Sequence, residues 1–378
     1  MSLFTLGTLL CGFAPNFSLL LIGRMVQASG AGILMPLMQT VLFVIFPPEK
    51  RGVAMGIFGL IVAFAPAVGP TLSGWIVDQF QWRILFYLLL PIALIILLLA
   101  FFLVENITQT NKPKFDFLSI ILSSLGFGGL LYSFSIAGSF GWTSPTTLGI
   151  LIVAILALTW FITRQSHLAE PMLNFRVFTY KMFTLPMAMV IIVFVAFIGG
   201  MTILPIYMQS VLHYSALKSG LALMLGGIVM GILSPFTGRI YDQLGARPLA
   251  FVGLSFVTVS GFLLTKISST TSFSYLTIAF VIMMIGEATV MMPLTTAALN
   301  ALPLSMISHG TAMNNTIRQI AGAIGTAVLV TIMTSHSLDI SKFGSTALVP
   351  GVQITFKVVT CLSLLGLTLA FSIKKKNI

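Results

Sequence analysis

The sequence predicts an all-α fold, a polytopic bundle of helices that crosses a lipid bilayer many times. Hydrophobic residues make up 57% of the 378 residues and charged residues only 7%, whereas soluble domains carry roughly a quarter charged residues. So little charge excludes soluble enzymes, nucleic-acid-binding modules and disordered chains. The formal net charge of +11 fits basic loops retained on the cytoplasmic side of a membrane.

Twelve apolar stretches account for most of the chain, and a helix needs about 20 apolar residues to cross the hydrocarbon core. The alternating pattern of a transmembrane β-barrel is absent from these stretches. The first stretch is short for a full span. In chain order they cover residues 2–14, 17–46, 53–74, 83–104, 117–137, 145–163, 183–207, 217–236, 248–266, 274–299, 312–334 and 353–373.

The distribution of lysine and arginine over the loops predicts the orientation in the membrane. With Met1 inside, the inward-facing loops and the C-terminal end hold 12 basic residues and the outward-facing loops hold five. Both termini are therefore expected in the cytoplasm. Met1 is not followed by a basic region and a small-residue cleavage site, so we expect no cleaved signal peptide.

An internal repeat relates the two ends of the chain, as in many transporters. Residues 35–37 (MPL) recur at 292–294, and residues 52–55 (GVAM) recur as GTAM at 310–313, at offsets of 257 and 258. The same offset would place the counterpart of the loop at 238–247 before Met1. We therefore expect a fourteen-helix design of which this chain holds the last twelve.

The repeat also predicts how the chain is organised. The offset between the repeated segments spans eight helices, which implies two six-helix halves separated by two additional helices. The expected regions are an incomplete N-terminal half at 1–110, two linking helices at 111–170 and a six-helix C-terminal half at 171–378.

The loop GRIYDQLGAR at 238–247 follows the pattern G-x-x-x-D-x-x-G-x-[RK] through Gly238, Asp242, Gly245 and Arg247. Glycines permit a tight turn between two helices. Asp242 can cap a helix N-terminus and pair with a basic residue, which would form a latch that breaks when the two halves rock. The alternative is an ordinary charged turn.

Arg24 lies in an otherwise apolar stretch, LLLIGRMVQASGAG at 19–32, and Gln27 follows it. A charge inside a membrane span is costly, and it usually faces the bundle interior on a proton or substrate path. We interpret Arg24 and Gln27 as pathway residues. The alternative is an arginine that reaches from a helix end back to the membrane surface.

Small residues and prolines recur in GIFGLIVAFAPAVGPTLSGW at 56–75. Small side chains allow close helix approach, and prolines kink a helix because they remove backbone donors. The stretch therefore predicts a kinked helix that can act as a hinge, although simple packing would give a similar face. The predicted hinge positions are Gly59, Pro66, Gly69, Pro70 and Gly74.

These three segments resemble motifs of the major facilitator superfamily, in particular its fourteen-helix drug:proton antiporter branch (EmrB/QacA-like). The resemblance extends over essentially the whole chain. It implies the major facilitator fold, export in exchange for protons, and a bacterial plasma membrane. In the family the arginine that corresponds to Arg24 is thought to work with a carboxylate in the first helix, which the twelve predicted helices do not include.

Glu287 is the acid that lies deep inside a predicted span, in MIGEATVMMP. A carboxyl group there can exchange a proton or meet a cationic substrate. The alternatives are a paired structural carboxylate or one that lines an aqueous vestibule. Arg318, predicted one to two turns into its helix, is a further pathway candidate, although reaching back to the cytoplasmic surface is the simpler interpretation.

The sequence predicts neither an enzyme nor a cofactor, since it contains no phosphate-binding loop and no catalytic triad. The four histidines show no metal-ligand spacing, so we expect no metal. We predict a monomeric, proton-coupled transporter that exports hydrophobic or cationic drugs by alternating access and binds no nucleic acid. The alternatives are a transporter of a specific metabolite and a truncated remnant that transports nothing.

Overall fold

In the part of the chain that the structure describes, twelve helices of 11 residues or more follow one another, with one short helix before the last. The structure, a computed structural model, describes residues 1–103 and 116–373, and no strand occurs in that part of the chain. Each predicted apolar stretch forms one helix, which confirms the all-helical fold class. The bounds are α1 Ser2–Gly12, α2 Phe17–Ile45, α3 Arg51–Gln79, α4 Ile84–Leu103, α5 Phe117–Phe140, α6 Pro145–His167, α7 Lys181–Ser210, α8 Ala216–Leu244, α9 Ala246–Leu264, α10 Phe273–Asn300, α11 Ile307–Ser335, α12 Ile340–Phe343 and α13 Val349–Ala370.

Most of these helices have the length and composition of membrane spans. Over the described residues, ten qualify, namely α2, α4 to α11 and α13, and α1 is a shorter apolar helix. On α4 only Ala93 is buried, and the large apolar side chains of Phe101, Phe102 and Leu103 are more than two-thirds exposed. Apolar surface of this extent is stable against lipid tails and not against water. The chain is therefore a multi-pass membrane protein.

The contacts divide the chain into two compact units, of which the first comprises Met1–Val41 and Val68–Phe115. Within it α1 packs against α4, and the Arg83 guanidinium donates to the Ala14 carbonyl oxygen at 2.8 Å. A Cβ atom at Gly30 would lie 2.5 Å from the backbone nitrogen of Phe4. Glycine at this position is therefore required for the close approach of α1 and α2.

The second unit comprises Leu42–Ala67 and Asp116–Ile378. Its centre is α10, which packs against α7, α8 and α9 and is buried along most of its length. A Cβ atom at Gly286 of α10 would lie 2.6 Å from the carbonyl oxygen of Gly253 in α9. This backbone-to-backbone packing is typical of membrane helices, where small residues replace the hydrophobic driving force between helices.

Asp116 joins the two helices α5 and α6 at one end. Its carboxylate accepts hydrogen bonds from the Ser119 hydroxyl at 2.6 Å and from the Ser119 backbone nitrogen at 3.2 Å. The Arg164 guanidinium of α6 donates to both carboxylate oxygens, each at 3.2 Å. The Ser119 hydrogen bonds, followed by those of Arg164, lower the pKa of Asp116 from 3.8 to about 2.

This low pKa predicts an acid-sensitive contribution to stability. A carboxyl group whose pKa is lower in the folded than in the unfolded chain stabilises the fold above its unfolded pKa, and this contribution is lost as the pH falls through the folded pKa. We expect the unfolding temperature in detergent to fall more steeply between about pH 4 and pH 2 for the wild type than for D116N. Parallel curves in differential scanning fluorimetry would contradict this assignment.

Candidate transport site

Glu287 lies near the middle of α10 and is completely enclosed, with 0% of its side chain exposed. Neither of its carboxylate oxygens has a hydrogen-bond partner among the described residues. Buried polar groups are almost always hydrogen-bonded, and a buried charge without a close partner is costly. The position therefore suits a carboxyl group that exchanges its proton or its partner.

Arg318 supplies the charge that interacts with Glu287. Since α11 begins at Ile307 and not at the predicted residue 312, Arg318 lies about three turns into the helix and not one or two. It is 9% exposed, so its side chain is buried within the protein. Its guanidinium makes no ion pair with Glu287 within 4.0 Å and lies 4.8 Å from the ring centroid of Phe194.

Asn314 is a buried polar residue of α11 that sequence reasoning missed. It is 1% exposed, and neither atom of its amide has a partner in the part of the chain that the structure describes. The spacing of four residues between Asn314 and Arg318 was the available signal, because residues i and i+4 share one face of a helix. Glu287, Arg318 and Asn314 are thus three incompletely satisfied polar side chains on two helices.

Arg24 and Gln27 belong to the first unit and are joined there by a hydrogen bond. The Arg24 Nη1 atom donates to Gln27 Oε1 at 2.8 Å, and Gln27 Nε2 donates to the Thr8 hydroxyl of α1 at 2.8 Å. Gln27 is 5% exposed, whereas Arg24 is exposed. The structure therefore brings the two predicted residues together, and Thr8 is a partner that the sequence did not reveal. Their role in transport stays a prediction.

Asp242 of the predicted gating loop caps the N-terminus of α3. Its two carboxylate oxygens accept hydrogen bonds from the backbone nitrogens of Gly52 at 2.7 Å and Val53 at 2.9 Å, and a negative charge is favourable at this end of a helix. Gly245 has a φ of +80°, which favours glycine at the turn between α8 and α9. A Cβ atom at Gly238 would collide with the carbonyl oxygen of Gly52.

Arg51 forms a second polar connection near this cap. Its guanidinium donates to Asn300 Oδ1 at 2.7 Å and to the carbonyl oxygen of Phe43 at 2.8 Å, and Asn300 donates to the Tyr241 hydroxyl at 3.2 Å. A cavity of about 420 Å³ borders this network. From the sequence, Arg51 is predicted only as a basic loop residue. Its position directly before the repeated segment at 52–55 is the feature that points to a structural role. Arg247 lies half-buried in the first turn of α9.

The predicted hinge in α3 is a packing surface in its first half. A Cβ atom at Gly56 would lie 2.5 Å from the carbonyl oxygen of Ser234, and one at Gly59 would lie 2.6 Å from Cγ of Met292. A Cβ atom at Gly69 would meet nothing within 4 Å. The other three predicted hinge positions lie in α3, but their surroundings are outside the described part of the structure: Pro66, Pro70 and Gly74.

A bundle of membrane-spanning helices with buried, incompletely satisfied charges is typical of a membrane transporter. Residues 1–326 match the model of the Major Facilitator Superfamily, and the chain belongs to this family. It is 49% identical over 379 residues to the uncharacterized MFS-type transporter YcnB of Bacillus subtilis, with 99% of this chain and 80% of YcnB covered.

Two further known proteins are similar to this chain. The chain is 42% identical over 384 residues to the lincomycin resistance protein LmrB of Bacillus subtilis, with 99% of this chain and 80% of LmrB covered. Its fold is similar to that of the peptide transporter POT in complex with sulfate, with a TM-score of 0.62, 17% sequence identity, and 98% of this chain and 78% of POT covered. At this low identity the likeness to POT concerns the fold alone.

Proposed function

We propose that this chain exports hydrophobic or cationic drugs across the plasma membrane in exchange for protons. The observation that carries the proposal is the fully buried carboxyl group of Glu287, whose oxygens accept no hydrogen bond from the described residues. A carboxylate that is held by strong hydrogen bonds exchanges its partner only at the cost of breaking them. A carboxyl group without them can bind a proton or a substrate group in turn.

Competition for Glu287 provides the coupling in this proposal. Among the described residues, the charge that interacts with this carboxylate is that of Arg318, at a separation beyond an ion pair. Protonation of Glu287 and the approach of a cationic or hydrogen-bonding substrate both neutralise the same charge, so each disfavours the other. A coupling free energy of this kind is typically about 1–3 kcal/mol, or about 5- to 150-fold in affinity.

The cap on α3 supplies the gate in this proposal. Asp242 and Arg51 tie the first turn of α3 and the end of α2 to the ends of α8 and α10 by hydrogen bonds between side chains and backbone. Such bonds can break and re-form as a unit when the access of the substrate site changes from one side of the membrane to the other. We propose that they close the cytoplasmic side.

Membership of the drug:proton antiporter branch and several related features are part of the same proposal. The resemblance of the three motifs and the 42% identity to LmrB, which is named for lincomycin resistance, support export of drugs. We propose that both termini are cytoplasmic, that the protein acts as a monomer, and that Arg24 and Gln27 lie on the pathway. The division at about residues 110 and 170 into two halves and two linking helices is proposed with them.

Everted membrane vesicles from bacteria that express this chain test the proposal. We expect such vesicles to accumulate radiolabelled lincomycin or the fluorescent cation ethidium when respiration acidifies their interior, and to release it when a protonophore is added. Vesicles without the chain are the control. Accumulation that persists with the protonophore would contradict proton coupling, and accumulation of neither compound would contradict drug export.

A further inference from the structure

The ring of Phe194 contacts the Arg318 guanidinium. The ring centroid lies 4.8 Å from Cζ of Arg318, and Nε of Arg318 has no hydrogen-bond partner among the described residues. An arginine over the face of an aromatic ring is attracted by the electrons of the ring, most strongly where water is excluded. At this site Phe194 is 8% exposed and Arg318 is 9% exposed. The contact is therefore largely buried within the protein.

The orientation of this ring is itself fixed by its neighbours. Phe194 is stacked on Phe197 of the same helix, with ring centroids 5.9 Å apart and an interplanar angle of 27°. Gly322 of α11 lies against the edge of the ring, because a Cβ atom at Gly322 would be 2.9 Å from Cε1 of Phe194. The ring therefore has a defined position between α7 and α11. On α11 it contacts Arg318 and, one turn further along, Gly322.

The carboxylate of Glu287 is an opposite charge close enough to interact with Arg318. Arginine prefers a direct, two-pronged contact with a carboxylate, and Glu287 is the charged group with which it interacts. The two side chains nevertheless make no ion pair within 4.0 Å. The remaining charged or histidine side chains of α7 to α11 lie within two turns of a helix end, namely Lys181, Lys218, Arg239, Asp242, Arg247 and His309.

We propose that Phe194 is a positioning residue that holds Arg318 out of direct contact with Glu287, so that the carboxyl group can take up a proton. A carboxylate in a two-pronged contact with arginine stays charged, because protonation would break both hydrogen bonds. A carboxylate whose counter-charge is held at a distance can be either charged or protonated. The inference rests on the proposed exchange of protons at Glu287 and adds the residue that permits it.

Labelling with dicyclohexylcarbodiimide tests this inference without any substrate. The reagent modifies protonated carboxyl groups in apolar surroundings, and mass spectrometry of the peptide that contains Glu287 measures the extent. In the purified chain we expect Glu287 to be labelled in the wild type and about tenfold less in F194L, where the guanidinium is released from the ring. F194Y keeps an aromatic face and should be labelled as the wild type is.

Two further variants separate positioning from packing. F356L makes the same substitution at a fully buried ring of α13 and should leave labelling unchanged. F194L/R318Q has no guanidinium that could pair with Glu287, and its labelling should return at least to the wild-type extent. This rescue would not occur if F194L had merely disordered the site.

Undiminished labelling in F194L, or a loss in F194Y as large as in F194L, would show that the ring does not act through its contact with Arg318. A wild type that is not labelled at Glu287 would refute its premise. If labelling follows the expected pattern while export is unaffected by E287Q, then the geometry is right and the proposed function is wrong.

Discussion

Replacing Glu287 with glutamine is expected to remove the dependence of export on the proton gradient while the protein remains folded. Glutamine has the shape of glutamate and carries no exchangeable charge, so Arg318 loses its interacting partner and the competition between proton and substrate ends. The expected loss of concentrative accumulation in everted vesicles is about 5- to 150-fold, the range of typical coupling free energies. Binding of a neutral substrate should change far less.

The matched control for this variant is E170Q. Glu170 lies exposed in the segment between α6 and α7, so the same substitution there should leave accumulation and its response to a protonophore unchanged. Accumulation by E287Q that equals the wild type and still collapses with a protonophore would remove Glu287 from the mechanism.

Replacing Gly238 with alanine is expected to destabilise the protein, although alanine is the better helix former. In an open helix the change would stabilise by about 0.8–1 kcal/mol. At Gly238 the new Cβ atom would collide with the carbonyl oxygen of Gly52 and lie 2.8 Å from its carbonyl carbon. Overpacking costs about 1–3 kcal/mol, and here both contacting atoms belong to backbone, so the cost exceeds the gain.

To relieve the collision, α3 and α8 would have to move apart. This movement would also weaken the cap that Asp242 forms on Gly52 and Val53. We therefore expect G238A to unfold at a lower temperature in detergent and to lose substrate accumulation in vesicles. Gly128 of α5 provides the control, because a Cβ atom there would meet nothing within 4 Å, and G128A should be neutral or stabilised. A G238A protein as stable as G128A would contradict the close packing of α3 and α8.

The helices could be predicted because their signal is local. Each span needs about 20 apolar residues, and a continuous apolar run shows this without reference to the rest of the fold. Helix boundaries are harder to predict from hydropathy: α11 begins with the segment at 307–311, which is too polar to belong to an apolar run. The shift of five residues changed the interpretation of Arg318 from a surface residue to a buried one.

The candidate site could be predicted only in part. Glu287 was found because an isolated acid in an apolar span is conspicuous, and Asp242 because its motif places a carboxylate at a turn. Phe194 carries no such signal, since it is one of 31 phenylalanines and its importance arises only when α7 and α11 pack together. Asn300 was likewise missed, because its partner Arg51 is 249 residues away.

The exchange of a proton for a substrate at Glu287 is tested most directly by proton release from the purified protein. Lincomycin is added to the detergent-solubilised chain in weakly buffered solution containing a pH-sensitive dye. We expect the wild type to release protons as the substrate binds, and E287Q to release none at a lincomycin concentration that saturates its binding. Equal release by the two proteins, or saturating binding to the wild type without any release, would contradict the proposed role of Glu287.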